Sequence, residues 1–134
     1  MRYSRIYNPP IAEHGWHSVS WGRDETFSIN GDVSNVTISD CIVAQGLETH
    51  SAGGLIQTTG GVSIFRTLYI DNQTRNPKVK GTNEFTNNVV YNWGPGGGYI
   101  AGDSAGVSMA NIIGNAFIRY ASFLGLVLVS EIKA

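Results

Sequence analysis

Three of the nine lysines and arginines of this chain lie within six residues, at Arg75, Lys78 and Lys80. The formal net charge of the whole chain is −1, so a local cluster of cations indicates a site for an anionic ligand. A guanidinium is well suited to bidentate contact with a carboxylate. The alternative interpretation, a solvated basic turn, fits the same residues. Pro77 excludes a helix here and favours an extended Asn76, so the cations are predicted to lie on a loop and an extended segment.

Two adjacent carboxylates, Asp24 and Glu25, precede the apolar residues of a predicted strand. A hard cation such as Ca²⁺ takes oxygen ligands from carboxylates, carbonyls and water, so both residues are candidate metal ligands. Neighbouring residues of a strand point to opposite faces, and one of the two carboxylates is expected to face any given site. Solvated turn acids are the alternative.

A nine-residue pattern that occurs four times predicts the strands that would position these residues. The copies are Val36–Ala44, Val62–Ile70, Asn83–Tyr91 and Ala110–Ile118, and a degraded copy runs through His17–Trp21. The equivalent positions are separated by 24, 26, 21 and 27 residues and are His17, Cys41, Thr67, Asn88 and Asn115. A period in the twenties with β-prone runs and loops of varied length is typical of a solenoid.

Each copy has apolar residues at alternate positions, then a small or amide residue, then a second apolar run. This pattern predicts two short strands joined by a tight corner, with the amides hydrogen-bonding between coils. The sequence therefore predicts an all-β parallel β-helix of about five coils. We expect a single internal stack of Ile38, Ile64, Phe85 and Ile112, since these residues share one place in the repeat.

Composition supports this class and argues against others. The chain has 134 residues, 42% of them hydrophobic, 14% charged, and 17 glycines, which fits one turn-rich all-β domain. A near-neutral charge gives no field that would attract nucleic acid or an anionic membrane, so neither partner is predicted. The single cysteine, Cys41, is predicted to be a buried, inert thiol.

The two ends depart from the repeat, and we divide the single domain 1–134 accordingly. Residues 1–14 form an atypical N-terminal segment without a run long enough for a signal peptide, residues 15–118 the coils, and residues 119–134 an apolar C-terminal segment. The run Phe117–Val129 is too short for a membrane span. It is interpreted as a final strand or helix that caps the open coils, or as an interface between copies, so a homo-oligomer is expected.

A glycine-rich stretch, Asn92–Ser104, lacks the Lys-Ser/Thr that would indicate a phosphate-binding loop. Trp93 and Tyr99 flank its glycines. Packing over a coil corner is favoured for both rings, and stacking on sugar rings is the alternative.

Three motifs in order resemble the pectate lyases of polysaccharide lyase family 1. They are Trp21-Gly-Arg-Asp-Glu-Thr26, Arg75-Asn-Pro-Lys-Val-Lys80 and Asn87-Asn-Val-Val-Tyr-Asn-Trp93, and the resembling stretch covers His17 to Ile118. The resemblance implies a right-handed parallel β-helix. It also implies a secreted enzyme that cleaves the acidic polysaccharide polygalacturonate by β-elimination, with Ca²⁺ as cofactor.

The resemblance also implies roles for individual residues. Arg75 matches the arginine that removes the proton at C5, and Lys80 matches the position that binds a substrate carboxylate. Asp24 matches a calcium-binding aspartate, and Glu25 is its neighbour. Lys78 and Arg66 are further candidate substrate contacts.

The sequence is compatible with two classes of function. One is a calcium-assisted pectate lyase. The other is a non-catalytic β-helical module that binds acidic polysaccharide or assembles with copies of itself, since a fold alone does not establish activity.

Overall fold

The computed structural model of the protein describes residues 25–46, 52–59, 61–102 and 106–119, together with the backbone of three short strands at 17–19, 127–128 and 132–133. Within these residues the chain forms strands and no helix. The strands are arranged in three sheets, which we call sheets I, II and III.

Sheet I contains β2 (Ser28–Asn30), β5 (Leu55–Gln57), β8 (Lys78–Val79), β11 (Tyr99–Ala101) and β15 (Ile132–Lys133). Sheet II contains β3 (Val36–Ser39), β6 (Val62–Phe65), β9 (Gly81–Thr86) and β12 (Ser108–Ile113). Sheet III contains β1 (His17–Val19), β4 (Ile42–Ala44), β7 (Leu68–Ile70), β10 (Val89–Tyr91), β13 (Ala116–Arg119) and β14 (Val127–Leu128).

From β2 to β13 the chain visits the three sheets in a fixed order, so neighbouring strands in a sheet come from successive turns. Their pairings are parallel, whereas β14 joins β13 antiparallel. This arrangement confirms the predicted parallel β-helix. Sheet II has four strands in its stack, which corresponds to three turns from β3 to β12. The expected five coils are therefore an overcount: among the described residues, the degraded copy adds one strand, β1, and the C-terminal segment adds β14 to sheet III and β15 to sheet I.

The predicted internal stack of Ile38, Ile64, Phe85 and Ile112 is confirmed. Their strands pair in register, Ile38 with Ile64, Ile64 with Phe85, and Phe85 with Ile112. Ile64 and Phe85 are buried, and the two end members pack against the same core cluster. Alternate residues of a strand point to opposite faces, so one apolar position in two lies inside.

Between sheets II and III the chain turns through one residue with a left-handed backbone. The corner residues have positive φ in successive turns and are Asp40, Arg66, Asn87 and Gly114. The residues that follow them form the predicted ladder: Asn88 Oδ1 accepts from the Thr67 N–H at 2.9 Å, and Asn115 Oδ1 accepts from the Asn88 N–H at 2.7 Å.

One residue of the predicted repeat alignment is displaced. His17 pairs with Ile42, so it does not share the column of Cys41. The degraded copy lacks the apolar alternation that fixes register in the other copies, and the alignment there was wrong by one residue. Cys41, predicted to be buried, is half-buried.

Trp93 and Tyr99 pack inside the solenoid, as favoured from the sequence. They are 6% and 2% exposed. The Tyr99 ring lies 4.9 Å from that of Phe85, and Trp93 contacts Phe117 edge-on at 6.4 Å between centroids. Both rings therefore contribute to the core.

The described parts of the apolar C-terminal run are strands. Phe117 lies in β13 and is buried, and β14 extends sheet III. Strand β15, which follows the run, extends sheet I. Among the described residues, no helix has the length and hydropathy needed to cross a membrane.

Candidate active site

The loop from β7 to β8 and strand β8 itself position three of the predicted site residues. Arg75 lies in the loop, Lys78 begins β8, and Lys80 follows it. Val79 points into the core and is fully buried. Because side chains alternate along a strand, Lys78 and Lys80 both lie on the outer side of sheet I. Lys78 is buried, at 6% exposed, and Lys80 is half-buried.

The backbone of this loop is bonded to the turns on both sides. The N–H groups of Gly53 and Gly54 donate to the carbonyls of Thr74 and Arg75 at 3.0 and 2.7 Å. On the other side, the Asn76 N–H donates to the Gly98 carbonyl at 3.0 Å. Arg75 itself has a positive φ of 54°. The loop is thus fixed at the residue that carries the predicted catalytic group.

The side chain of Arg75 forms an ion pair with Glu25. Its Nη1 donates to Glu25 Oε1, and the two side chains are 30% and 6% exposed. The structure therefore brings together a predicted catalytic residue and a predicted metal ligand that are 50 residues apart in sequence. The contact places a positive and a negative group at one corner of the solenoid.

Calcium ligation has one described candidate. Asp24 lies outside the described residues, and the Glu25 carboxylate binds a guanidinium. No group of three or more His, Cys, Asp or Glu able to hold a metal occurs among the residues that the structure describes. Since Ca²⁺ takes six to eight oxygen ligands, Glu25 alone, of the two predicted ligands, would not make up a calcium site within the described residues.

Arg66 lies apart from the other predicted site residues. It occupies the corner between β6 and β7, where its Nε and Nη2 donate to the two carboxylate oxygens of Asp40 at 2.7 and 2.6 Å. Hydrogen bonding from Arg66 lowers the pKa of the Asp40 carboxyl below its usual value. The structure does not bring Arg66 together with Arg75, whose loop lies between sheets III and I.

Two buried amides that support the Arg75 loop were not identified from the sequence. Asn72 Nδ2 donates to Asn76 Oδ1 at 2.9 Å and to the Val43 carbonyl at 3.0 Å, and Asn72 Oδ1 accepts from the Gly46 N–H at 2.9 Å. Both amides are 1% exposed. The sequence signal that could have identified Asn72 is an asparagine just after a strand. At such a place a buried amide can bond to backbone groups that have no partner in the sheet.

Comparison with known proteins gives close relatives. The chain is 82% identical over 101 residues to the probable pectate lyase C of Aspergillus fumigatus (strain CBS 144.89 / FGSC A1163 / CEA10), and this match covers 75% of the chain and 24% of that protein. The probable pectate lyase C of Aspergillus flavus is 80% identical over 101 residues, which again cover 75% of the chain and 24% of that protein. That of Emericella nidulans is 78% identical over 94 residues, or 70% of the chain and 22% of the relative.

The chain thus spans about a quarter of the length of the curated relatives that it matches. No protein-family model matches it, and no solved structure matches it. Identity near 80% across the parallel β-helical coils, in the stretch that carries the Arg-x-Pro-x-x-Lys pattern, confirms the resemblance seen in the sequence. Over this stretch, the chain is closely similar to proteins named probable pectate lyase C.

Proposed function

We propose that this chain carries the catalytic loop of a pectate lyase and acts on polygalacturonate. The observation that supports this most strongly is the 82% identity to a probable pectate lyase C, in a chain whose cations Arg75, Lys78 and Lys80 lie on one loop and its adjoining strand. Polygalacturonate has one carboxylate on each sugar, so a cluster of cations on this loop and strand complements its charge.

In β-elimination, a base removes the proton at C5 of a uronate. The electron pair forms the C4–C5 double bond, the C4–O4 bond breaks, and the leaving oxygen takes up a proton from solvent water. Negative charge develops on the carboxylate as the proton departs. Lys80 and Lys78 are proposed to bind this carboxylate, and their charges stabilise the developing enolate more strongly than the bound substrate.

Arg75 is proposed to take the C5 proton, as the family resemblance implies. Its guanidinium must pass one proton to solvent water before the reaction; the neutral guanidine then accepts the C5 proton and becomes a guanidinium again. The fixed backbone of the loop and the planar guanidinium give this group a defined direction, which a flexible ammonium would lack.

Calcium is proposed as cofactor on the family resemblance alone. Glu25 is engaged by Arg75, and the carboxylates among the described residues are too few to hold this ion. Arg66 is proposed, on the sequence prediction, to contribute a more distant contact with the chain of sugars. The resemblance also supports an extracellular location, which detection of the protein in a culture filtrate would test.

The proposal is tested by following the ultraviolet absorbance of unsaturated uronate product from polygalacturonate. We expect the wild-type protein to form this product and Lys80→Ala to lower kcat/KM by about a hundredfold, as for loss of one group that stabilises an anionic transition state. An Arg66→Ala variant tests the separate contact. Absence of product from the folded wild-type protein would refute the proposed activity.

A second candidate is a binding module that assembles with copies of itself. The open edge of sheet II favours self-association: β14 and β15 extend sheets III and I, but none of the described strands pairs beyond β12. Exposed apolar side chains accompany this edge, namely Val107, Met109 and Ile113 at 87%, 66% and 59%. Binding of polygalacturonate without product formation would support this candidate.

A further inference from the structure

Before the strands of sheet I begin, three successive turns form a short ladder. Glu25 pairs with Ala52, and Ala52 pairs with Thr74, both in parallel. Paired segments of neighbouring turns, which we call rungs, are about 4.8 Å apart. Glu25 therefore lies two rungs, roughly 9.6 Å, from Thr74, which immediately precedes Arg75. The guanidinium reaches the Glu25 carboxylate by crossing the middle rung.

The middle rung carries the two smallest residues, Ala52 and Gly53. Ala52 is fully buried. A Cβ added to Gly53 would lie 2.6 Å from Asn76 Oδ1 and 2.9 Å from the Arg75 carbonyl oxygen. The absence of bulk here lets the Arg75 loop pack directly on the preceding turn.

In the ion pair between Arg75 and Glu25, the carboxylate is largely shielded from water. Glu25 is 6% exposed, and a carboxylate this buried requires a charged or hydrogen-bonding partner. Arg75 supplies that partner through Nη1. The guanidinium is planar with five N–H donors in fixed directions, so holding one nitrogen restricts the whole group.

We propose that Glu25 is a positioning residue for Arg75 and is not a calcium ligand in this protein. The inference rests on the proposed function, which it deepens by assigning Glu25 to the orientation of the catalytic arginine. One carboxylate cannot satisfy the guanidinium and a calcium ion equally well, so the two cations compete for Glu25.

Calorimetric titration with calcium chloride alone tests this competition without measuring activity. The proteins are the wild type, Glu25→Gln, Arg75→Gln and the double variant. We expect Arg75→Gln to bind calcium at least about fivefold more tightly than the wild type, the lower range of typical coupling between ligands. Glu25→Gln should not weaken calcium binding, and the double variant should lose the gain. No gain in Arg75→Gln, or a loss in Glu25→Gln, would overturn the proposal.

Cleavage kinetics on the same proteins test positioning. Glu25→Gln should lower kcat in the Arg75 protein and have no further effect in the Arg75→Gln background, whereas Glu25→Asp should restore part of the rate. Equal losses in both backgrounds would contradict a role through Arg75. Unchanged unfolding midpoints separate this effect from a folding defect. If the wild type shows no cleavage, the proposed function fails, and the calcium titration alone decides the role of Glu25.

Discussion

At the scale of single residues, the loop that carries Arg75 can pack closely because its neighbours Gly53 and Gly54 have no side chain. Gly53 and Gly54 face this loop and the Phe27 ring so closely that an added Cβ would lie 2.6 Å from Asn76 Oδ1 or from the ring. Such contacts are shorter than real side chains show, so either neighbour or loop would have to shift. The glycines are therefore required by packing, at a place where the proposed reaction needs a fixed arginine.

Gly53→Ala should destabilise the protein by about 1–3 kcal/mol, the usual effect of overpacking a tight interior. It should also lower cleavage, because the carbonyl of Arg75 lies in the path of the new methyl group. Chemical denaturation measures the first effect. Gly61→Ala is the matched control, since a Cβ there meets nothing within 4 Å. Equal stability of the two variants would contradict the packing account.

The identity of the site residues was more accessible from sequence than their contacts. The basic pattern from Arg75 to Lys80 predicted a loop and an extended segment, and the structure has both. The pairing of Arg75 with Glu25 spans 50 residues and depends on which turns are adjacent, so no local pattern encodes it. For the same reason, Arg66 and Arg75 look equivalent in the sequence but lie at different corners.

At the scale of elements, the corner from sheet II to sheet III is held by side-chain amides. Asn88 accepts from the Thr67 N–H and donates to the Ile64 carbonyl at 2.9 Å each, and it also bonds to Asn115. It is 1% exposed. These bonds satisfy backbone groups that the sharp corner removes from the strand ladders.

Asn88→Ala should lower the free energy of unfolding by about 1–3 kcal/mol, since it leaves the buried Thr67 N–H without its acceptor. The same substitution at Asn111, which is exposed on β12, provides the control and should be nearly neutral. Urea denaturation of both variants measures the difference. A neutral Asn88→Ala would show that the ladder does not stabilise the corner.

The repeat period and the alternation of apolar residues predicted the strands and corners, because the same positions are buried in every turn of a solenoid. The internal column and the amide corner followed from that repeat. The number of turns and the register of His17 did not, because residues outside the repeat carry no periodic signal. Closure of the ends depends on pairings such as β13 with β14 that occur once.

At the scale of the whole molecule, two buried tyrosines link stability to pH. Burial raises the pKa of Tyr69 and of Tyr99 above the ordinary value of 10.0. The unfolded chain loses these protons near that value while the folded protein keeps them. Above about pH 10, stability should therefore fall as pH rises, by at most about 1.4 kcal/mol per pH unit for each tyrosine.

Tyr69→Phe should reduce this alkaline loss. At neutral pH it should be neutral or stabilising, because the Tyr69 hydroxyl is buried with no hydrogen-bond partner among the described residues. Thermal unfolding from neutral pH to about pH 11 measures both effects. Tyr91→Phe, at a half-buried position, is the matched control. An unchanged alkaline slope in Tyr69→Phe would contradict the assignment.

The β12 edge of sheet II, beyond which no described strand pairs, predicts self-association. Complete burial of each exposed apolar side chain would contribute about 1.5–3 kcal/mol. We expect light scattering at high micromolar concentration to report an oligomer, and Ile113→Lys to shift the mass toward the monomer. Gln45→Lys, exposed at a different corner, should leave the mass unchanged. A wild-type protein that is strictly monomeric would rule out this interface.

The central claim, that this segment performs β-elimination through Arg75, is tested most directly by comparing two Arg→Lys variants in polygalacturonate cleavage. Arg75→Lys keeps the charge but loses the planar group, and we predict at least about a thousandfold loss of kcat. Arg119→Lys makes the same change at an exposed arginine on β13 and should retain the wild-type rate. Near-wild-type cleavage by folded Arg75→Lys would contradict the account.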